Sequence, residues 1–133
     1  MSSIVRYLYP VPAPRAVPSI IAWWERRRLG FNVVVGGTGL LTLSIVALFG
    51  LLPPAGHFSI PWFAPIVFGF MANVCYSLGW AIESLLHVVW GEDVKPVGPV
   101  LFRQGTLFAI GLTLLPVILA GVAWVARVLR FVL

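Results

Sequence analysis

The stretch from Pro61 to Trp90, PWFAPIVFGFMANVCYSLGWAIESLLHVVW, is apolar for its whole length yet striped with polar groups along one side. At 100° per residue, Gly69, Asn73, Tyr76, Ser77, Trp80, Glu83, Ser84 and His87 share one broad helical face. Phe63, Val67, Phe68, Met71, Val74, Cys75, Leu78, Ile82, Leu85, Leu86 and Val89 form the other. In water the polar side would face outward; in lipid the logic inverts and it turns toward neighbouring helices. The pattern predicts the central helix of a small membrane bundle.

Composition enters as a test of that reading. Of the 133 residues, 60% are hydrophobic and 10% are charged, and the mean hydropathy is +1.01. A soluble domain carries roughly 25% charged residues, so this chain has too little charge to coat one. The net charge of +5 would raise nucleic acid as a partner for a soluble protein. Five of the nine basic residues precede the first apolar span, however, which fits orientation in a bilayer and anionic headgroups rather than nucleic acid. Cys75 is the sole cysteine, which excludes an internal disulfide, and on the lipid side of its helix it serves as a small apolar residue.

Residues 1–18 read as a proline-rich N-terminal arm, with Pro10, Pro12, Pro14 and Pro18 favouring polyproline-like geometry. They contain no continuous apolar core of a signal peptide, so the first span is expected to stay in the mature protein. Residues 19–133 read as the transmembrane domain. Ser19 is placed to cap a helix, and SIIAWWERRRLGFN changes from apolar to basic within a turn. Trp23 and Trp24 suit the headgroup zone and Arg26, Arg27 and Arg28 the phosphates beside it, which predicts an interfacial amphipathic helix bending at Gly30.

Spans are expected over 29–52, 61–86 and 104–126, each near the ~20 residues that a bilayer requires. Asn32, Gly36, Gly39, Leu43 and Gly50 line one side of the first, where small residues admit another backbone and Asn32 can bond across the contact. Ser59 and Pro61 suit the start of the second, with Pro65 kinking it one turn in. In the third, Gly105, Thr106, Ala109, Thr113, Pro116 and Ala120 make a small-residue stripe. Arg127 and Arg130 close the chain with stems long enough to snorkel. The fold class is therefore all-α, three transmembrane helices behind the arm and the interfacial helix. Placing the N-terminus in the cytoplasm puts seven Lys and Arg inside against two outside, and the C-terminus outside.

Glu83 lies 22 residues beyond Pro61, roughly 33 Å along a helix, which places it at the inner boundary. There it is expected to pair with Arg103 or with one of Arg26 to Arg28 and to fix helix register. Asn73 lies nearest the bilayer centre by the same counting and reads as an interhelical bond, with Tyr76 and Ser77 beside it. His57 and His87 fall on opposite sides of the membrane and cannot share a metal or a haem; His87 alone reads as a solvated or capping side chain at the inner boundary, with ligation of a pigment or haem as the sharper alternative. No Ser/His/Asp set, Gly-rich phosphate loop or H-x-x-x-H pair occurs, so neither enzymatic activity nor a cofactor is expected.

The segments WWERRRLGFN, ANVCYSLGWAIE and LFRQGTLF resemble a group of small bacterial inner-membrane proteins. That group has an E-R-R-R-L-x-x-N entry, here Glu25 to Leu29 with Asn32, and an N-x-C-Y-x-L-G-W central helix, here Asn73, Cys75, Tyr76, Leu78, Gly79 and Trp80. The resemblance implies the bacterial inner membrane and brings no activity with it. Two functions are carried forward. The first is a non-catalytic accessory or assembly subunit of a membrane complex, or a homo-oligomer, partnered by other subunits or itself. The alternative is a small transporter or channel component built around Asn73, Ser77 and Tyr76 as an oligomer.

Overall fold

Pro18, Pro65 and Pro99 each fall in the first turn of a long helix, the one place where a missing N–H costs nothing. They open α2 (Val17–Leu51), α3 (Ala64–Trp90) and α4 (Gly98–Val132). A short helix, α1 (Ser3–Leu8), precedes them, and a single 3₁₀ turn at Gly91–Asp93 joins α3 to α4. The computed structural model describes residues 3–54, 56 and 60–133, so His57 and the proposed cap Ser59 lie outside the described residues. No strand occurs among the described residues, and the fold is all-α. Three of the helices are long and apolar enough to cross a membrane, as in a multi-pass membrane protein.

Several boundaries differ from the sequence reading. The stretch read as a separate interfacial helix is part of the same continuous helix as the first span, and α2 runs through Gly30 unbroken. It begins at Val17 with Ala16 at the cap, ahead of Ser19, because Pro18 is itself a good first-turn residue. Pro65 likewise starts α3 and does not kink it. α3 runs on to Trp90 and α4 from Gly98 to Val132, both beyond the 20-odd residues needed to span. The arm is not proline-rich coil throughout, since residues 3–8 are helical and only 9–16 are irregular.

α2 and α4 run parallel and stay in contact along their whole lengths. Near the α2 N-terminus Trp24 meets the Phe102 ring, at mid-length Gly39 faces Thr113, and at the far end Phe49 meets Gly121 and Trp124. Pro116 has no N–H for the turn that precedes it, and the Thr42 hydroxyl donates to the Thr113 carbonyl of that turn at 2.9 Å.

α3 is antiparallel to both and set toward the α2 N-terminus. Asn73 bonds Asn32, and Tyr76 bonds the Trp24 carbonyl, which fixes the register. Counting equal steps from the Asn32–Asn73 pair puts Ala64 level with about Leu41, so α2 continues roughly 15 Å past the start of α3 at 1.5 Å per residue. An apolar cavity of about 360 Å³ lies beneath that start, between Gly36, Gly39 and Leu43 of α2, Ala64, Phe68 and Gly69 of α3, and Leu112 and Pro116 of α4. The buried core sits at the other end, where Ile20, Trp23, Trp24, Phe31, Val35, Tyr76 and Phe102 pack together.

Candidate functional site

Two polar clusters lie against that aromatic core. The first is built on Glu83, whose side chain is 6% exposed. Its Oε2 accepts from the Trp24 indole Nε1 at 2.7 Å, and its Oε1 accepts from the Gly98 backbone N–H at 3.1 Å. Gly98 is the first residue of α4, so the carboxylate sits on a helix N-terminus, where an orphan amide and the helix dipole both favour negative charge. A Cβ on Gly98 would collide with that carboxylate. The Trp24 ring lies over Gly79, where a Cβ would approach it to 2.5 Å. Tyr76, Gly79 and Glu83 thus form one stripe at i, i+3, i+7, with the glycine opening a slot for the indole.

The second cluster is centred on Arg28. Its guanidinium donates twice to Glu25, at 2.8 and 2.6 Å, and crosses to α3 to reach Ser77 Oγ at 2.8 Å and Asn73 Oδ1 at 3.3 Å. Asn73 donates in turn to Asn32 Oδ1 at 2.8 Å. The guanidinium also lies over the Tyr76 ring, 5.0 Å from its centroid, and the Tyr76 hydroxyl donates to the Trp24 carbonyl at 2.6 Å. Asn32, Asn73, Tyr76 and Ser77 are therefore brought together, and Glu83 lies further along the same face of α3. The depth of Asn73 differs from the sequence count: it sits beside Arg28 and Asn32, because the offset of α3 moves it away from the bundle's middle.

Arg103 does not join Glu83. It stacks on the Tyr9 ring at 4.7 Å, and the one ion pair among the described residues is Arg28–Glu25. The buried carboxylate takes neutral donors because α4 begins beside it and Trp24 reaches across from α2. Trp23 and Trp24, expected at the headgroups, turn inward. They are 8% and 2% exposed, and their N–H groups are used inside, by the Val11 carbonyl and by Glu83. Of the arginine triplet, Arg28 is the interhelical hub and Arg27 lies over the Trp23 ring at 4.0 Å, leaving Arg26 exposed.

The irregular segment 9–16 is tied down at its far end by Arg15. That guanidinium donates to the carbonyls of Gly91, Glu92 and Val94 in the α3–α4 connection. Carbonyls at a helix C-terminus are left without helical donors, and a cation there satisfies both bond and dipole. His87 lines a cavity beside Arg15 and Glu83 whose volume is about 20 Å³, room for one water and far too small for a tetrapyrrole. Tyr7 of α1 packs its ring edge-on to Phe102 at 5.3 Å. Burial pushes its hydroxyl above the ordinary phenol range, against the opposing pull of Arg27.

Comparison with protein-family models, with curated proteins and with solved structures finds no match to this chain.

Proposed function

We propose that this chain is a small non-catalytic integral membrane protein of the bacterial inner membrane, an accessory or assembly subunit of a membrane complex or a homo-oligomer. The observation that carries the proposal is the helix surface left without a protein neighbour. The three side chains around which a transport path is read are all bonded within the bundle: Asn73 to Asn32, Ser77 to Arg28, Tyr76 to the Trp24 carbonyl. What faces outward is largely apolar, with Gly37, Gly105 and Gly111 exposed and meeting nothing within 4 Å of where a Cβ would stand. Small residues let a second backbone approach closely, and in lipid that close packing drives helix association. Cavities of about 360 and 340 Å³ flank α3, and its offset leaves the far ends of α2 and α4 uncovered by it.

Purification in mild detergent, followed by the mass of what co-migrates, tests the proposal. A stoichiometric foreign subunit or a defined homo-oligomer supports it. A homo-oligomer that conducts a solute in liposomes overturns it in favour of the transporter. The orientation proposed is N-terminus cytoplasmic and C-terminus outside. What supports it is the basic end, where Arg6, Arg15, Arg26 to Arg28, Lys95 and Arg103 gather around α1 and the α3–α4 connection. Cytoplasmic activity of a reporter fused at Leu133 would overturn that orientation.

A further inference from the structure

Arg6 of α1 and Arg26 and Arg27 of α2 line one open cleft, whose walls are completed by Ser3 and Tyr7. No carboxylate lines it. Glu25, the nearest in sequence, is held by Arg28, and Glu83 is held by Trp24 and Gly98. Among the described residues neither Arg6 nor Arg26 makes an ion pair, and both are exposed. The Arg6 and Arg26 guanidinium groups each offer a planar fork of N–H donors that matches the oxygens of a phosphate, while Arg27, stacked on Trp23 and donating one N–H to its carbonyl, adds positive charge to the cleft wall.

The cleft is held in place. Tyr7 seats α1 on α2 at Gly30, where a Cβ would come within 3.0 Å of the ring, and on Phe102 of α4. Gly30 stands 21 residues before Leu51, about 32 Å along the helix, close to the thickness of a bilayer's hydrocarbon core. The cleft therefore stands at headgroup depth when the far end of α2 reaches the other surface. Below it, Arg26, Leu29, Val33, Gly37 and Leu40 fall on one stripe of α2. Leu29, Val33 and Leu40 are 74%, 66% and 69% exposed, and nothing stands over Gly37.

We propose that the Arg6–Arg26–Arg27 cleft binds the phosphate of an anionic phospholipid, with an acyl chain lying along Leu29, Val33, Gly37 and Leu40. Three cations and no carboxylate favour an anionic headgroup over a zwitterionic one, whose ammonium finds no partner there. The apolar stripe continuous with the cleft favours a lipid over free phosphate. The inference rests on the membrane placement proposed above and is independent of the accessory role.

The test is native mass spectrometry of the full chain in uncharged detergent, titrated with phosphatidylglycerol, with phosphatidylcholine, and with inorganic phosphate as competitor. Phosphatidylglycerol is expected to be retained in preference to phosphatidylcholine. Arg6→Gln and Arg26→Gln are each expected to weaken its retention about fivefold, the order of effect of one basic residue at a membrane surface. Arg130→Gln removes the same charge at the other end of the bundle and is expected to change nothing. Equal retention of the two lipids, or equal effects of the three variants, overturns the proposal. Displacement of the lipid by millimolar phosphate assigns the cleft to free phosphate and overturns it too. Alkaline extraction of the source membranes separates the two readings. Release of the chain into the supernatant defeats the membrane placement itself, whereas a retained chain without lipid preference defeats only the cleft.

Discussion

Trp24 and Glu83 are joined by a buried hydrogen bond, 2.7 Å from indole Nε1 to carboxylate Oε2, which locks α2 to α3 across 59 residues of sequence. The same carboxylate accepts from Gly98 at the start of α4, so one side chain holds all three long helices.

Removing either partner strands the other in a poorly hydrated place. Trp24→Phe leaves one carboxylate oxygen without its donor, and Glu83→Gln points an amide NH₂ at a group that can only donate. Each is expected to cost about 1–3 kcal/mol, read as thermal stability in detergent. The double variant should lose less than the sum, with a coupling of about 0.5–3 kcal/mol. Glu83→Gln combined with Arg103→Gln should be additive, because Arg103 stacks on Tyr9 instead. Strict additivity of the Trp24–Glu83 pair would show that the bond does not form.

Gly79→Ala tests the slot beside that bond. The added Cβ would stand 2.5 to 3.0 Å from the Trp24 ring, inside contact distance, and the indole cannot withdraw without releasing Glu83. Overpacking of this kind costs about 1–3 kcal/mol. Gly121→Ala would meet only the Phe49 ring at 3.7 Å, an ordinary van der Waals contact, and is expected to be neutral or mildly stabilising. If the two variants melt together, the ring does not lie where the structure puts it.

Arg28 is the residue through which α2 recognises α3, by geometry as much as charge. Arg28→Lys keeps the charge and loses the fork that serves Glu25, Asn73 and Ser77 at once. Interhelical polar bonds in membranes are worth roughly 0.6–2 kcal/mol, and a loss of that size is expected on thermal unfolding. Arg26→Lys, two residues away and exposed, should leave the melting temperature unchanged.

The face of α3 was legible because lipid sorts residues as strictly as water does. Tyr76 and Glu83 are buried while Val67, Met71, Val74, Leu78, Ile82, Leu85 and Val89 are exposed, as their spacing predicts, whereas Phe68, read on the lipid face, packs against the core. Depth was not legible. Counting from Pro61 assumes that adjacent helices start level, and the 12 residues between Leu51 and Ala64 are long enough to let α3 begin roughly 15 Å short of the end of α2. Nor could spacing decide the direction of Trp23 and Trp24. An indole beside arginines serves equally as a headgroup anchor or as a buried donor, and only the approach of Glu83 and Val11 chose the second. The partner of Glu83 was missed because a buried carboxylate invites a search for a cation, while a helix N-terminus carries no mark in side-chain charge. The nearest signal was Gly98-Pro99, a residue without a side chain followed by a first-turn proline.

At the other end of the bundle, Arg127 supplies a donor that the sequence of α2 lacks. The Phe49 carbonyl would bond the N–H four residues on, but that residue is Pro53 and has none. Arg127 Nη2 fills the vacancy at 2.8 Å, while its Nε reaches the Pro54 carbonyl at 3.2 Å and Trp124 Nε1 the Pro53 carbonyl at 3.2 Å. A cation at this terminus also meets the negative end of the helix dipole. So Arg127 turns inward to α4's neighbour, and the snorkelling expected of both C-terminal arginines fits only Arg130, which is exposed. Arg127→Gln is expected to cost about 1–2 kcal/mol, the scale of a lost charge-assisted bond to a helix end, and to speed hydrogen exchange in the last turn of α2. Arg130→Gln should do neither. Equal exchange at Phe49 to Leu52 in both variants would mean that α2 ends without help from α4.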